Sequence, residues 1–219
     1  MKIVSLILAR GGSKGIPKKN LLKICDKPLI QHSIEASLGS ISSETWVSTD
    51  CVEIAEVSRS LGAKVVMRPK EISGDSSKSE SALLHFADQE LFDFLVFLQP
   101  TSPLTTSNHI NEAITEAFSH DSLFSGYVEH WVPRWKKTKF FLREYDWNIN
   151  VRPMRQEAQS TLVENGAIYI TKKSSLIKSK NRYSGSIGFY EMKKHESFQL
   201  DEPEDVFIIE SIMKNRDGS

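Results

Sequence analysis

Residues 3–20 read IVSLILARGGSKGIPKKN. The short apolar run from Ile3 to Ala9 predicts a buried strand. It breaks into a loop that holds Arg10, three glycines, Ser13, Lys14, Lys18, Lys19 and Asn20. A strand that feeds a glycine-rich basic loop is a common way to hold a triphosphate. Glycines let backbone N–H groups approach the phosphates, and Arg and Lys neutralise their charge. Two known phosphate fingerprints do not fit. A P-loop needs Gly where Ile16 stands, and a dinucleotide fingerprint needs Gly where Arg10 stands. The same composition also suits a solvated turn, so spacing alone leaves both readings open.

Outward from this stretch, apolar runs alternate with helical patterns. Pro28–Leu38 has apolar residues at 29, 30, 34 and 38, a helical spacing. Glu44–Ser48 reads as a strand that ends at Asp50. Val52–Leu61 reads as a helix that stops at Gly62. Lys64–Met67 reads as a short strand and Ser79–Leu91 as a helix. Phe94–Gln99 is a continuous apolar strand of the doubly covered, parallel kind. Ser107–Phe118 reads as a helix with Ser107 as N-cap, Leu123–Tyr127 as a strand, and Val206–Met213 as a closing helix. This alternation predicts a three-layer α/β domain around a mostly parallel sheet. Ligands of such sheets sit beyond the carboxyl ends of the strands, where the loops at 10–20, 48–50 and 99–106 fall.

A chain of 219 residues is long enough for a substantial core. Its 39% hydrophobic and 26% charged content is ordinary for a globular protein. A formal net charge of zero argues against a nucleic-acid partner. No apolar stretch approaches the ~18 residues of a membrane span, and the N-terminus reads as a strand rather than a signal peptide. Cys25 and Cys51 lack metal-binding spacing, and a reducing, cytoplasmic location fits them.

Residues 129–164 differ from the rest. They hold three of the four tryptophans, several basic residues and only a weak period. A β-rich insertion is expected, either as a satellite core or as an interaction arm.

Arg10 to Asn20 closely resembles the N-terminal signature of the CMP-sialic acid synthetases (acylneuraminate cytidylyltransferases). Further segments resemble that family in the same order: Val47-Ser-Thr-Asp50, Val66-Met-Arg-Pro69, Leu98-Gln-Pro-Thr-Ser-Pro-Leu104, Asn165-Gly-Ala-Ile-Tyr169 and Ser197 to Asp205. The resemblance implies a Rossmann-like nucleotidyltransferase fold and transfer of CMP from CTP to a keto-deoxy sugar acid with release of pyrophosphate. A nine-carbon nonulosonate is the expected substrate class, with an eight-carbon Kdo-like acid as the alternative. It implies a nucleotide-binding domain of residues 1–128 and 165–219, and a dimerisation arm at 129–164 that serves a homodimer.

By the same resemblance, Arg10, Ser13, Lys14, Lys19 and Asn20 contact the triphosphate and base. Arg68 and Ser79 match positions that recognise cytosine or ribose, although Arg68 would also suit an ion pair with Glu71. Gln99, Arg155, Asn165 and Tyr169 match substrate contacts, and Tyr169 equally suits a core strand. Mg²⁺ is the implied ion. The family holds it with two Asp two residues apart; here those positions are Gln199 and Asp201, which would share a face if the segment were a strand. Thr105 and Val163 stand where relatives commonly carry Arg. Gln199, Thr105 and Val163 together admit a second reading, a binding paralogue with weakened turnover. Arg182-Tyr183 falls where relatives show an aromatic pair. No residue is assigned as general base.

Overall fold

The computed structural model describes residues 1–12, 15–130, 132–154, 156–158 and 160–217. In chain order the elements are β1 (Ile3–Leu8), β2 (Lys23–Ile24), β3 (Lys27–Pro28), α1 (Leu29–Leu38), β4 (Glu44–Thr49), α2 (Val52–Ser60), β5 (Lys64–Met67) and α3 (Ser79–Gln89). They continue as β6 (Phe94–Leu98), α4 (Ser107–Ala117), β7 (Ser122–Glu129), β8 (Trp135–Lys137), β9 (Leu142–Glu144), β10 (Thr161–Lys172), α5 (Lys173–Ser179), β11 (Ile187–Glu191) and α6 (Asp205–Asp217). Each helix and strand expected from periodicity is present, with ends shifted by a few residues.

Seven strands form one sheet in the order β11–β7–β10–β6–β1–β4–β5. β1 pairs in parallel with β4 and β6, β4 with β5, and β7 with β11. β10 runs antiparallel between β6 and β7. Successive side chains on a strand face opposite sides of a sheet, and the apolar runs divide accordingly. Ile3, Ile7, Val47, Val96, Leu98, Ile168 and Ile170 pack under α1, α2 and α4 through Ile30, Ile34, Ile54, Ile110 and Ile114. Val4, Leu6, Leu95, Phe97 and Tyr169 pack on the other face with Leu83 and Phe86 of α3 and Leu176 of α5. A third cluster joins Ile16, Leu29, Leu104 and Leu200 to Ile209 and Met213 of α6. That cluster ties the C-terminal helix to the loops at the carboxyl end of the sheet.

Two local expectations are corrected. The N-cap of α4 is Thr106, not Ser107: the Thr106 hydroxyl accepts the His109 amide at 3.2 Å while His109 Nδ1 accepts the Thr106 amide, a reciprocal box that Ser107 cannot make from inside the helix. Residues 198–201 are not a strand; they follow a 3-10 turn at Lys194–Ser197 and make no ladder.

The segment 129–164 meets the sheet at both ends, because β7 runs to Glu129 and β10 starts at Thr161. Between them β8 and β9 form a small antiparallel hairpin. Trp135 and Trp147 meet edge to face at 5.1 Å, and Arg134 pairs with Asp146. This patch does not cover the hairpin tip: Phe140 is 82% exposed and Phe141 60%.

Glu44 knits β4 to its neighbours. It accepts the Trp46 indole N–H at 2.7 Å and pairs with Lys64 at 3.0 Å and Lys2 at 3.1 Å. The indole hydrogen bond, reinforced by the two ammonium groups, lowers its carboxyl from 4.5 to about 2. A depressed carboxylate contributes stability above its unfolded pKa and loses it as pH falls through the folded one. Thermal melts between pH 4.5 and about 2 should therefore show a loss of stability that Glu44→Gln flattens, at the cost of a lower Tm near neutrality.

Candidate active site

A cleft of about 450 Å³ opens at the carboxyl ends of β1 and β6. These strands are neighbours, yet the chain leaves β1 through α1 on one face and arrives at β6 through α3 on the other. Such a divergence leaves a crevice at the sheet edge. Leu8 and Phe97 supply its floor, and Gln99 lies two residues beyond Phe97, just past the strand end. Ser79, the first residue of α3, forms one wall; Arg10, Gly15, Lys19 and Asn20 form another; Asp201 and Glu202 close the mouth. A smaller recess of about 230 Å³ shares Leu8, Arg10 and Ser79 and is backed by Arg68.

The basic loop is held from within. Asn20 is buried and donates its amide to the Arg10 carbonyl at 2.9 Å. The Gly11 amide donates to Asp50 Oδ1 at 2.9 Å. A Cβ at Gly11 would stand 2.8 Å from the Cys51 Cβ, so only glycine lets the loop lie this close to the β4–α2 turn. Lys18 points away from the cleft to Glu53, at 2.7 Å.

Lys19 and Arg10 reach the cleft with replaceable partners. Lys19 Nζ donates to the Leu200 carbonyl at 2.9 Å and to Asp201 Oδ1 at 3.3 Å. Arg10 pairs with Asp75 at 2.7 Å. Arg68 does not pair with Glu71. It is 9% exposed, and its Nε finds no partner among the described residues. Burial, with the nearby charge of Arg10 adding, pulls its pKa below the usual value against the opposing effect of Asp50. A buried guanidinium with an unpartnered N–H beside a second arginine is a good seat for an anion or a carbonyl.

Other expected residues lie elsewhere. Asn165 is buried and off the cleft. Its Oδ1 accepts the Ser125 hydroxyl at 2.7 Å and the Ala167 amide at 3.1 Å, and its Nδ2 donates to Ser197 at 2.9 Å. Tyr169 is 4% exposed, stacks on Phe97 at 5.3 Å and donates its hydroxyl to Glu164. Burial and that hydrogen bond raise its pKa above the ordinary phenol value. Ser13, Lys14 and Arg155 lie outside the described residues.

The pair expected at the metal position is split. Gln199 donates its side-chain amide to the Asn165 carbonyl and does not line the cleft. It is pressed against Gly166, where φ is +68° and a Cβ would meet Gln199 Nε2 at 2.5 Å. Asp201 faces the cleft with its side chain 64% exposed. Among the described residues no cluster of three or more His, Cys, Asp or Glu is placed to hold a metal by itself. Mg²⁺ does not need one. It binds through one or two carboxylates, substrate phosphates and water. Asp201, beside Glu202 and opposite the basic loop, fits that role, and Gln199 does not.

Sequence reasoning missed Leu8, Phe97 and Thr101. The first two could have been found by continuing the strand alternation from Leu6 and Leu95. Thr101, whose hydroxyl finds no partner among the described residues, sits inside the quoted 98–104 segment.

Most of the chain is similar to proteins named as cytidylyltransferases. It is 39% identical over 207 residues to N-acylneuraminate cytidylyltransferase A of Danio rerio, an alignment that covers 91% of this chain and 48% of that protein. It is 35% identical over 218 residues to N-acylneuraminate cytidylyltransferase of Streptococcus agalactiae, covering 94% and 52%. The chain thus spans about half the length of the curated relatives it matches. Among solved structures, CMP:2-keto-3-deoxy-manno-octonic acid synthetase complexed with CTP superposes with a TM-score of 0.75 at 18% identity, over 99% of this chain and 100% of that one. The 2-C-methyl-D-erythritol 4-phosphate cytidylyltransferase of Thermus thermophilus gives 0.68 at 13%, over 98% and 100%. At these identities both show the fold alone, a Rossmann-like one. The family model described as Cytidylyltransferase matches residues 4–217, and this chain belongs to that family.

Proposed function

We propose that this protein transfers CMP from CTP to the anomeric hydroxyl of a nonulosonate and releases pyrophosphate. The observation that carries the reading is the cleft between β1 and β6, where Arg10, Lys19 and Asp201 meet Ser79 and Gln99. Transfer at phosphorus asks the protein chiefly to position two substrates and to neutralise charge on the leaving group. Arg10 and Lys19 exchange Asp75 and Asp201 for the triphosphate. Asn20 keeps the loop folded around it. Arg68 and Ser79 receive the nucleoside, and Gln99 offers an amide to the sugar acid. Ser13 and Lys14 add donors in the loop, and Arg155 meets a substrate carboxylate. Asn165 and Tyr169 act from behind the cleft, as the supports of Gln199 and Phe97.

Asp201 would hold Mg²⁺, which would supply charge neutralisation for the leaving pyrophosphate. The chain contributes a single carboxylate from the paired positions, because residue 199 is Gln, and the Gln199 amide is itself engaged with the Asn165 carbonyl. That engagement also favours a second reading, a nucleotide- or sugar-binding protein with little turnover. Pyrophosphate release with CTP and Mg²⁺, across a panel of sialic, legionaminic and pseudaminic acids with Kdo, separates the two. Turnover with a nine-carbon acid is expected; CTP binding without turnover on any acid overturns the enzymatic reading. Asp201→Asn should raise the Mg²⁺ concentration for half-maximal activity about tenfold. An unchanged magnesium dependence would remove Asp201 from the metal.

The reaction runs in the cytoplasm, a reducing compartment that suits the thiols of Cys25 and Cys51. The 129–164 segment serves as the arm of a homodimer. Its support is the run of exposed apolar side chains at Phe140, Phe141, Leu142 and Tyr145, a surface seldom left to water. Sedimentation should report a dimer, and Phe140→Asp with Phe141→Asp should shift it to monomer without unfolding the sheet.

A further inference from the structure

Arg182 lies in the loop between α5 and β11, outside the cleft. Its Nε donates to Glu80 Oε1 at 2.7 Å. Its guanidinium carbon stands 4.7 Å from the centroid of the Tyr169 ring and 5.1 Å from that of Phe97. The side chain is only 14% exposed. A planar guanidinium can lie against aromatic faces while its N–H fork still donates, which an ammonium cannot do as well.

Both contacts lead to the cleft. Glu80 follows Ser79 in the first turn of α3. Phe97 lines the cleft two residues before Gln99. Behind the rings, Glu164 accepts the hydroxyls of Tyr169 and Tyr183, which fixes the stack from the far side. The α3 N-terminus and the β6 end come from different parts of the chain, and Arg182 touches both.

We propose that Arg182 is a positioning residue for the nucleotide: through Glu80 and Phe97 it holds the Ser79 wall and the cleft floor at a fixed separation. This rests on the reading that the cleft binds CTP. Without Arg182 the carboxylate of Glu80 loses its partner in a half-buried place, and the Phe97–Tyr169 stack loses the cation on its flank. Both changes move cleft-lining groups, although Arg182 itself lines none of it.

The test is titration calorimetry of Mg²⁺–CTP, alongside thermal melts, and it needs no turnover. Arg182→Met should weaken CTP binding about fivefold or more, and Arg182→Lys, which keeps a cation facing the Glu80 carboxylate, should stay within about twofold. Ile114→Ala, a core truncation on the opposite face of the sheet, is the control: it should lower Tm and leave CTP affinity unchanged. Where a sugar acid turns over, Arg182→Met should raise KM for CTP by the same factor that it raises Kd. If Arg182→Met does not fold, Glu80→Gln carries the same test with an expected loss of about threefold. CTP affinity equal to wild type in Arg182→Met or Glu80→Gln overturns the proposal, as does an equal loss in Ile114→Ala. A wild-type protein that binds no CTP overturns the nucleotide reading instead, before any variant is compared.

Discussion

The parallel pairing of β1 with β6 is the constraint on which the rest of this structure depends. Right-handed crossovers carry the chain from β1 through α1 to β4, and through α2 to β5. To reach the other side of β1, α3 must cross the opposite face. The helices therefore part above the β1–β6 boundary and leave a cleft at that sheet end. Leu8, Phe97 and Gln99 become the floor and rim of a cleft by topology, and Arg10 and Lys19 reach it because their loop leaves β1 there.

Charge in the cleft is arranged as an exchange. Arg10 and Asp75 form a half-exposed pair, and Lys19, itself largely buried, meets an Asp201 carboxylate that is mostly exposed; pairs open to solvent on one or both sides are worth little in water. An entering triphosphate can replace either carboxylate at small cost. Arg68 differs, since its guanidinium is buried with an N–H unmet. An unmet buried donor is costly to maintain and gains most when a ligand meets it. The cleft thus combines two labile cations with one poised donor.

The supports behind the cleft are more rigid. Asn165 binds Ser125, Ser197 and its own turn, and its carbonyl receives Gln199. Gly166 makes that contact possible through its left-handed backbone and missing side chain. Gln199 is consequently a latch between β10 and the segment that carries Asp201. It holds that segment without facing the cleft.

The sequence by itself determined the alternating elements, the parallel core and the family, because strand runs, helical periods and ordered motifs are local signals. It also placed the basic loop and Gln99 at one sheet edge, since strand ends can be read from the chain; Asp201 was marked only by the family resemblance. Tertiary structure alone decided which motif residues face the cleft. Asn165, Tyr169 and Gln199 sit in quoted motifs as Lys19 and Gln99 do, yet Asn165 is buried off the cleft, Tyr169 is buried behind Phe97 and Gln199 is turned onto a carbonyl. Arg182 carried no clear signal, because its partners Glu80, Phe97 and Tyr169 are distant in the chain. The direction of a side chain at a strand end or in a loop depends on what packs against it from remote segments, and that is settled only when the layers close.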